Sequence, residues 1–231
     1  MPSIELAVLD MAGTTVTDDG LVLRAFDEAA TAAGLPESGQ ARDAARTYVR
    51  DTMGQSKIEV FRHLFGTEDR ARHANATFEQ VYADSIDTGI AEVPGAAKAI
   101  TGMREAGVKV ALTTGFSATT QRRILDALDW ADIADLVLAP GEYGRGRPFP
   151  DLILNALLHS GIDDVAKVAV LGDTSSDIRS GLRAGASIVA GTLTGAHDAD
   201  TLTAAGATHV VASVADFAEL ILSQPRKADP A

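Results

Sequence analysis

The chain has 231 residues, 46% of them hydrophobic and 23% charged, which suits one sizeable domain or a main domain carrying a smaller inserted one. A formal charge of −12 sets its surface against nucleic acid and anionic lipid, so neither nucleic acid nor membrane is an expected partner. There is no cysteine, which excludes disulfides, thiolate metal sites and cysteine nucleophiles. No apolar run approaches the ~20 residues needed to cross a bilayer, and no secretory leader is recognisable, so the expected location is cytoplasmic.

Taken in chain order, the first apolar run, residues 4–9, reads as a buried strand ending on Asp10. From about residue 21 to 90 the pattern is purely helical, with stretches at 21–33, 41–52, 56–65 and 70–87. A helical insertion directly after a first strand reads as a cap over the sheet's carboxyl edge. Val93-Pro94-Gly95 marks the return.

Beyond it, helical patterns at 96–105, 117–128, 150–159, 176–184 and 214–222 alternate with strand patterns at 108–112, 136–138, 168–171, 187–190 and 209–211. Ser117 suits an N-cap and Pro150 a first helical position, while Gly107, Gly161 and Gly185 suit helix ends. The tail from Gln224 reads as frayed. The fold class is therefore α/β: a Rossmann-like parallel sheet with helices on both faces, plus an inserted α-helical cap domain. The division is 1–16 with 93–231 for the α/β core domain and 17–92 for the helical cap domain.

In open parallel sheets, ligands sit outside the carboxyl ends of the strands. Four such ends hold unusual residues: Asp10, Thr113-Thr114-Gly115, Gly144-Arg145-Gly146-Arg147-Pro148, and Gly172-Asp173-Thr174-Ser175-Ser176-Asp177. Alone, Asp173 could merely cap the helix that follows it. Two acidic ends with a hydroxyl and an arginine at two others form a constellation that an ordinary α/β domain has no reason to assemble. His73, His159, His197 and His209 lack ligand spacing, which argues against zinc.

These motifs, in this order and with a helical segment between the first two, resemble the haloacid dehalogenase superfamily over nearly the whole chain. The resemblance implies that Asp10 attacks phosphorus and forms an aspartyl phosphate. Thr114, Gly115 and nearby loop amides, with Ala12 and Gly13, would hold phosphate oxygens, and Arg147 takes the place of a more usual lysine. Asp173 and Asp177 would bind Mg²⁺ together with Asp10 and the carbonyl of Ala12. Three carboxylates against one Mg²⁺ and Arg147 balance in charge, and an all-oxygen site suits that ion.

Superfamily phosphatases carry a second aspartate two residues after the nucleophile. Here that position is Ala12, and an ester hydrolase without the acid would lose a factor of about 10²–10⁴. Asp-x-Ala-Gly-Thr resembles the phosphonoacetaldehyde hydrolase branch specifically, as do Arg147 in Gly-Arg-Pro-Phe-Pro and Met53-Gly54-Gln55-Ser56-Lys57. That branch uses a lysine imine as an electron sink for carbon–phosphorus cleavage, which makes Lys57 the candidate and puts Gly54 beside the substrate. The sequence departs from the branch at Val60, where it has a histidine, at Phe116, where it has a tyrosine, and near Gly20 and Leu21, where it has a cysteine. His63 lies on another helical face from Lys57.

The expected substrate is thus a small phosphonate or phosphorylated compound, with phosphonoacetaldehyde or a relative ahead of a small phosphate ester such as phosphoglycolate. A relative that binds a phospho-ligand without turnover is the third reading. Related enzymes often dimerise through their caps, so a homodimer is the expected assembly.

Overall fold

The computed structural model describes residues 3–17 and 20–223, with residues 87 and 88 described by backbone alone; the tail from Gln224 lies outside the described residues. Six parallel strands form the central sheet: β1 (Leu6–Asp10), β4 (Lys109–Thr113), β5 (Leu136–Leu138), β6 (Val168–Gly172), β7 (Ile188–Thr192) and β8 (His209–Val211). Their spatial order is β5-β4-β1-β6-β7-β8, with Leu6 opposite Lys109 on one side and Val168 on the other. β1 is central and wholly buried, which explains its unbroken apolar run rather than an alternating one.

Alternate residues of β1 serve opposite faces. Leu6 and Val8 pack with Leu152, Ile153 and Ala156 of α7 (Asp151–Ser160). Ala7 and Leu9 face α5 (Ala96–Glu105), α6 (Ala118–Ala127) and α10 (Val214–Leu222), through Ile100, Ile124 and Phe217. α8 (Ser175–Ala184) and the short α9 (Ala199–Ala204) complete the layers. Helices on both faces of a parallel sheet are what the strand and helix alternation predicts.

Between β1 and α5 lie α1 (Leu21–Ala32), α2 (Gln40–Asp51), α3 (Lys57–Phe65) and α4 (Glu68–Gly89). α1 and α3 pack on α4 through Phe26, Phe61 and Phe78, and this apolar cluster is continuous with the sheet's own through Met11 and Phe116. The sequence reading missed a feature at the base of this segment. β2 (Val16–Thr17) pairs antiparallel with β3 (Ala91–Glu92), and the Val93 N–H donates to the Thr15 carbonyl at 2.9 Å. Two-residue strands are too short to leave a periodic pattern, so no apolar alternation announced them.

Helix ends follow the expected chemistry. The Ser117 hydroxyl accepts from Thr120 N–H, and Gly161 and Gly185 close their helices in the left-handed conformation. Pro150 sits one residue before α7 rather than inside it. No helix among the described residues is long and apolar enough to cross a membrane.

Candidate active site

Every strand-end motif singled out in the sequence reaches one cavity of about 370 Å³ at the carboxyl edge of the sheet. Asp10, Ala12, Gly13, Gly54, Lys57, Thr114, Gly115, Arg147 and Asp173 all line it. Asp177 does not; it lies beneath the floor, its carboxylate turned back toward Arg147 and Thr174.

Asp10 is the last residue of β1, and the chain then turns sharply: Thr14, Thr15 and Val16 all donate backbone N–H groups to the Met11 carbonyl. Gly13 makes the turn possible, with φ of +86°, and a Cβ there would run into the Asp173 carboxylate. The Thr15 hydroxyl donates to the Asp10 carbonyl at 2.9 Å, and the Thr14 hydroxyl donates to Asp173 at 3.3 Å. The first and fourth motifs are thereby held edge to edge. Thr114 is buried, and its hydroxyl oxygen accepts the Phe116 N–H at 3.2 Å.

Asp10, Asp173 and Asp177 are each at most 4% exposed, and they offer carboxylate oxygens that lie within 4.8 Å of one another. The buried Arg147 guanidinium reaches Asp10 at 2.7 Å and also pairs with Asp177. Burial alone pushes Asp10 up, Arg147 pulls it back and Asp177 pushes again, leaving it at about 6. Burial, then the Asp10 and Asp177 charges, raise Asp173 well above the usual carboxylate range. Burial opposes the Arg147 charge too, but Asp10 and Asp177 outweigh it and hold the guanidinium above its ordinary range.

Three carboxylates against one guanidinium leave an uncompensated negative charge among buried side chains. An oxygen-only donor set with that deficit fits a divalent hard cation such as Mg²⁺. The cap of α8 is Thr174 with Asp177 in a reciprocal capping box, so Asp173 is not needed as a helix cap.

The other wall comes from the helical segment. Lys57 is the first residue of α3 and only 6% exposed. Its backbone N–H donates to the Gly115 carbonyl at 3.3 Å. A Cβ on Gly115 would lie 2.5 Å from the Gln55 carbonyl oxygen, and one on Gly54 would lie 2.5 Å from the Thr174 hydroxyl. Glycine at both positions lets the Met53–Lys57 loop press directly on two strand-end loops. His63 is elsewhere, exposed and stacked on Tyr48 with ring centroids 4.0 Å apart.

The sequence reading missed one strand end. Thr194, Gly195 and Ala196, after β7, also line the cavity. The Thr194 hydroxyl donates to the Gly13 carbonyl at 2.7 Å, and the Ala196 N–H donates to Asp173 at 2.7 Å. The rule that directed attention to the other strand ends applied here as well; the loop drew no notice because Thr-Gly-Ala carries no charge. Arg123 of α6 donates to the Ala83 carbonyl of α4 at 3.0 Å, tying the helical segment to the sheet's own helices.

The sequence profile of the haloacid dehalogenase-like hydrolases matches residues 4–185. The chain is 30% identical over 194 residues to a phosphonoacetaldehyde hydrolase of Pseudomonas putida, covering 79% of this chain and 70% of that protein. Its fold is similar to that of a phosphonoacetaldehyde hydrolase-like protein from Oleispira antarctica, with a TM-score of 0.80, 23% identity, and coverage of 94% of this chain and 91% of the other. It is also similar to a putative phosphoglycolate phosphatase from Lactobacillus delbrueckii subsp. bulgaricus, with a TM-score of 0.79, 19% identity, and coverage of 96% and 100%. Matched by that profile over most of its length, the chain belongs to the haloacid dehalogenase-like hydrolases, and it is similar in sequence to phosphonoacetaldehyde hydrolases.

Proposed function

We propose that this hydrolase cleaves the carbon–phosphorus bond of phosphonoacetaldehyde or a close relative, using Asp10 as nucleophile and Lys57 as an imine-forming amine. The observation that carries the reading is the sharing of one cavity by Asp10, Arg147 and Lys57, with Ala12 at the position of the ester-specific acid. We further propose that residues 17–92 act as the cap domain and that 1–16 with 93–231 form the core.

Substrate enters with its phosphonate toward Asp10 and its aldehyde toward Lys57. The Lys57 amine adds to the carbonyl carbon, and the oxygen leaves as water, giving a protonated imine. The Asp10 carboxylate then attacks phosphorus. The carbon–phosphorus electron pair moves into the carbon chain and on to the imine nitrogen, giving an enamine and an aspartyl phosphate. No alkoxide departs, so no acid is required where Ala12 stands. The enamine takes a proton on carbon, water releases acetaldehyde from Lys57, and a second water releases phosphate from Asp10.

Asp10, Asp173, Asp177 and the Ala12 carbonyl would hold Mg²⁺, which supplies charge neutralisation at the transferring phosphoryl group when bound. Arg147 fixes the Asp10 carboxylate through the 2.7 Å contact, and Thr114 with its neighbouring amides offers donors to phosphoryl oxygens.

A second reading, hydrolysis of a small phosphate ester, is favoured by Val60 and Phe116 standing where proton-transferring side chains are expected. Borohydride reduction during turnover of phosphonoacetaldehyde separates the two. The proposal expects inactivation and a reduced two-carbon adduct on Lys57. Turnover that continues unimpaired with no adduct would remove the imine from the account.

A further inference from the structure

Outside the active site, the helical segment holds a second cavity, of about 240 Å³, between α1, α2 and the end of α3. Its floor is apolar: Phe26 and Ala30 of α1 and Ala45 and Val49 of α2 are buried, and Leu64 of α3 is half-buried. The space exists because long polar arms, rather than interlocking side chains, hold α2 to α1. The buried Arg42 guanidinium donates to the Asp27 carbonyl at 3.0 Å, its carboxylate at 3.2 Å, the Thr31 hydroxyl at 2.6 Å and the Pro36 carbonyl at 2.8 Å. Arg46, one turn on, grips both carboxylate oxygens of Asp27 at 3.0 Å. α1 and α3, by contrast, pack closely on α4.

The charges around this cavity are unbalanced. Arg42, Arg46 and Arg50 recur every four residues along α2 and all line it, and the one acid among the lining residues is Asp27. Asp27 is already shared by Arg42 and Arg46, and no described residue pairs with the Arg50 guanidinium. In a chain of formal charge −12, three guanidiniums against one carboxylate make a locally positive site. Arg46 and Arg50 are exposed and form its rim. An apolar floor under a cationic rim suits an amphiphilic anion, whose body loses water against Phe26 and Val49 while its head meets Arg50. The volume lies below the roughly 300–1,000 Å³ of sites for drug-sized ligands, so the body is small.

We propose that this cavity binds a small amphiphilic anion, with a ring or short alkyl body and a single carboxylate or phosphonate head. The site is separate from the reaction proposed above and does not depend on it. A ligand there bridges α1 and α2 and fills the space that their arginine arms leave open. Leu23 lines both this cavity and the active-site cavity, and α2 ends two residues before the Met53–Lys57 loop. The two cavities therefore lie back to back, and a test has to report on each separately.

The test is an NMR titration of the full chain with isotope-labelled alanine methyls. Ala30 and Ala45 report on this cavity, and Ala12 and Ala196 report on the active site. Benzoate and phenylphosphonate serve as whole ligands, acetate as the head alone and benzyl alcohol as the body alone. The site predicts saturable shifts at Ala30 and Ala45 with benzoate or phenylphosphonate, with a Kd on the order of 1 mM, and binding of acetate and benzyl alcohol about tenfold weaker or less. The tighter of the two whole ligands identifies the head. Arg50→Gln changes an exposed side chain and should weaken the whole ligands about three- to tenfold while leaving benzyl alcohol unchanged. Ala45→Met fills the floor and should remove the response of Ala30 to every probe; where that variant does not fold, Arg50→Gln decides. No shift at Ala30 and Ala45 at about 20 mM ligand, shifts confined to Ala12 and Ala196, benzyl alcohol binding as well as benzoate, or benzoate affinity unchanged in Arg50→Gln would each overturn the proposal.

Discussion

The two walls of the cavity are built on opposite principles. The sheet-edge wall is charged and closely hydrogen-bonded: Arg147 pairs with Asp10 and Asp177, Thr14, Thr15 and Ala196 bond to Asp173 and Asp10 from behind, and Thr194 holds the Gly13 turn beside them. The helical wall carries Lys57 beside apolar residues, with the Phe26 and Phe78 rings of the same segment and Phe116 of the sheet edge 5.0–6.0 Å from its amine. The first is suited to phosphorus, whose transfer needs dense charge in fixed positions. The second is suited to carbonyl chemistry, which needs an amine shielded from water. On the proposed function, phosphoryl transfer and leaving-group activation are assigned to different walls, and substitutions on the two should fail in different ways.

The largest effect is expected from the charged wall. Asp10→Asn should remove turnover of every phosphorus substrate, by on the order of 10⁴-fold or more, because no other group can take the nucleophile's place. Steady-state phosphate release checks it, and borohydride trapping on Lys57 should persist in the same variant if the walls are separable.

Arg147→Met leaves two buried carboxylates without their cation. In metal-free protein it should cost about 3–5 kcal/mol of stability, measured by denaturant unfolding, and added Mg²⁺ should restore part of the loss.

The seam between the walls can be pried open. Gly115→Ala puts a Cβ 2.5 Å from the Gln55 carbonyl oxygen, so the Met53–Lys57 loop must move back. A stability loss of about 1–3 kcal/mol and a raised KM are expected, with borohydride trapping reduced in parallel.

The smallest expected effect is on pH dependence. Asp10 is at about 6 in the folded protein against 3.8 ordinarily, and Asp173 is raised in the same direction. Raised carboxyls bind protons more tightly when folded, so their stabilising contribution is full below pH 4 and lost as pH rises through 6. Metal-free protein should therefore show a Tm contribution from this site that falls across that window, and saturating Mg²⁺ should flatten it. A metal-free Tm that climbs steadily from pH 4 to 7 would count against the uncompensated charge.

Much of the sheet edge was legible because its information is local. A buried parallel strand reads as an apolar run, and an acid or hydroxyl directly after it reads as a strand-end loop; Asp10, Thr114 and Asp173 were found in that way. The helical segment was legible from its 3.6-residue periodicity, which located α1 to α4 to within a few residues. What escaped notice depends on contacts distant in sequence. Thr194 and Ala196 act through a hydroxyl and a backbone N–H, which no residue type advertises. Pairing of β2 with β3 joins segments more than 70 residues apart. The aromatic surroundings of Lys57 are assembled from Phe26, Phe78 and Phe116, and in sequence each of these is one apolar residue of an ordinary core face.

The most direct measurement is a side-by-side assay of wild type and Lys57→Ala on phosphonoacetaldehyde and on a panel of small phosphate esters, phosphoglycolate among them. The account predicts that wild type prefers the phosphonate and that Lys57→Ala loses that activity by about three orders of magnitude, about 4 kcal/mol of barrier, while any trace ester hydrolysis survives. Preferred turnover of an ester, undiminished in Lys57→Ala, would contradict it and leave Asp10 at the centre of a phosphatase.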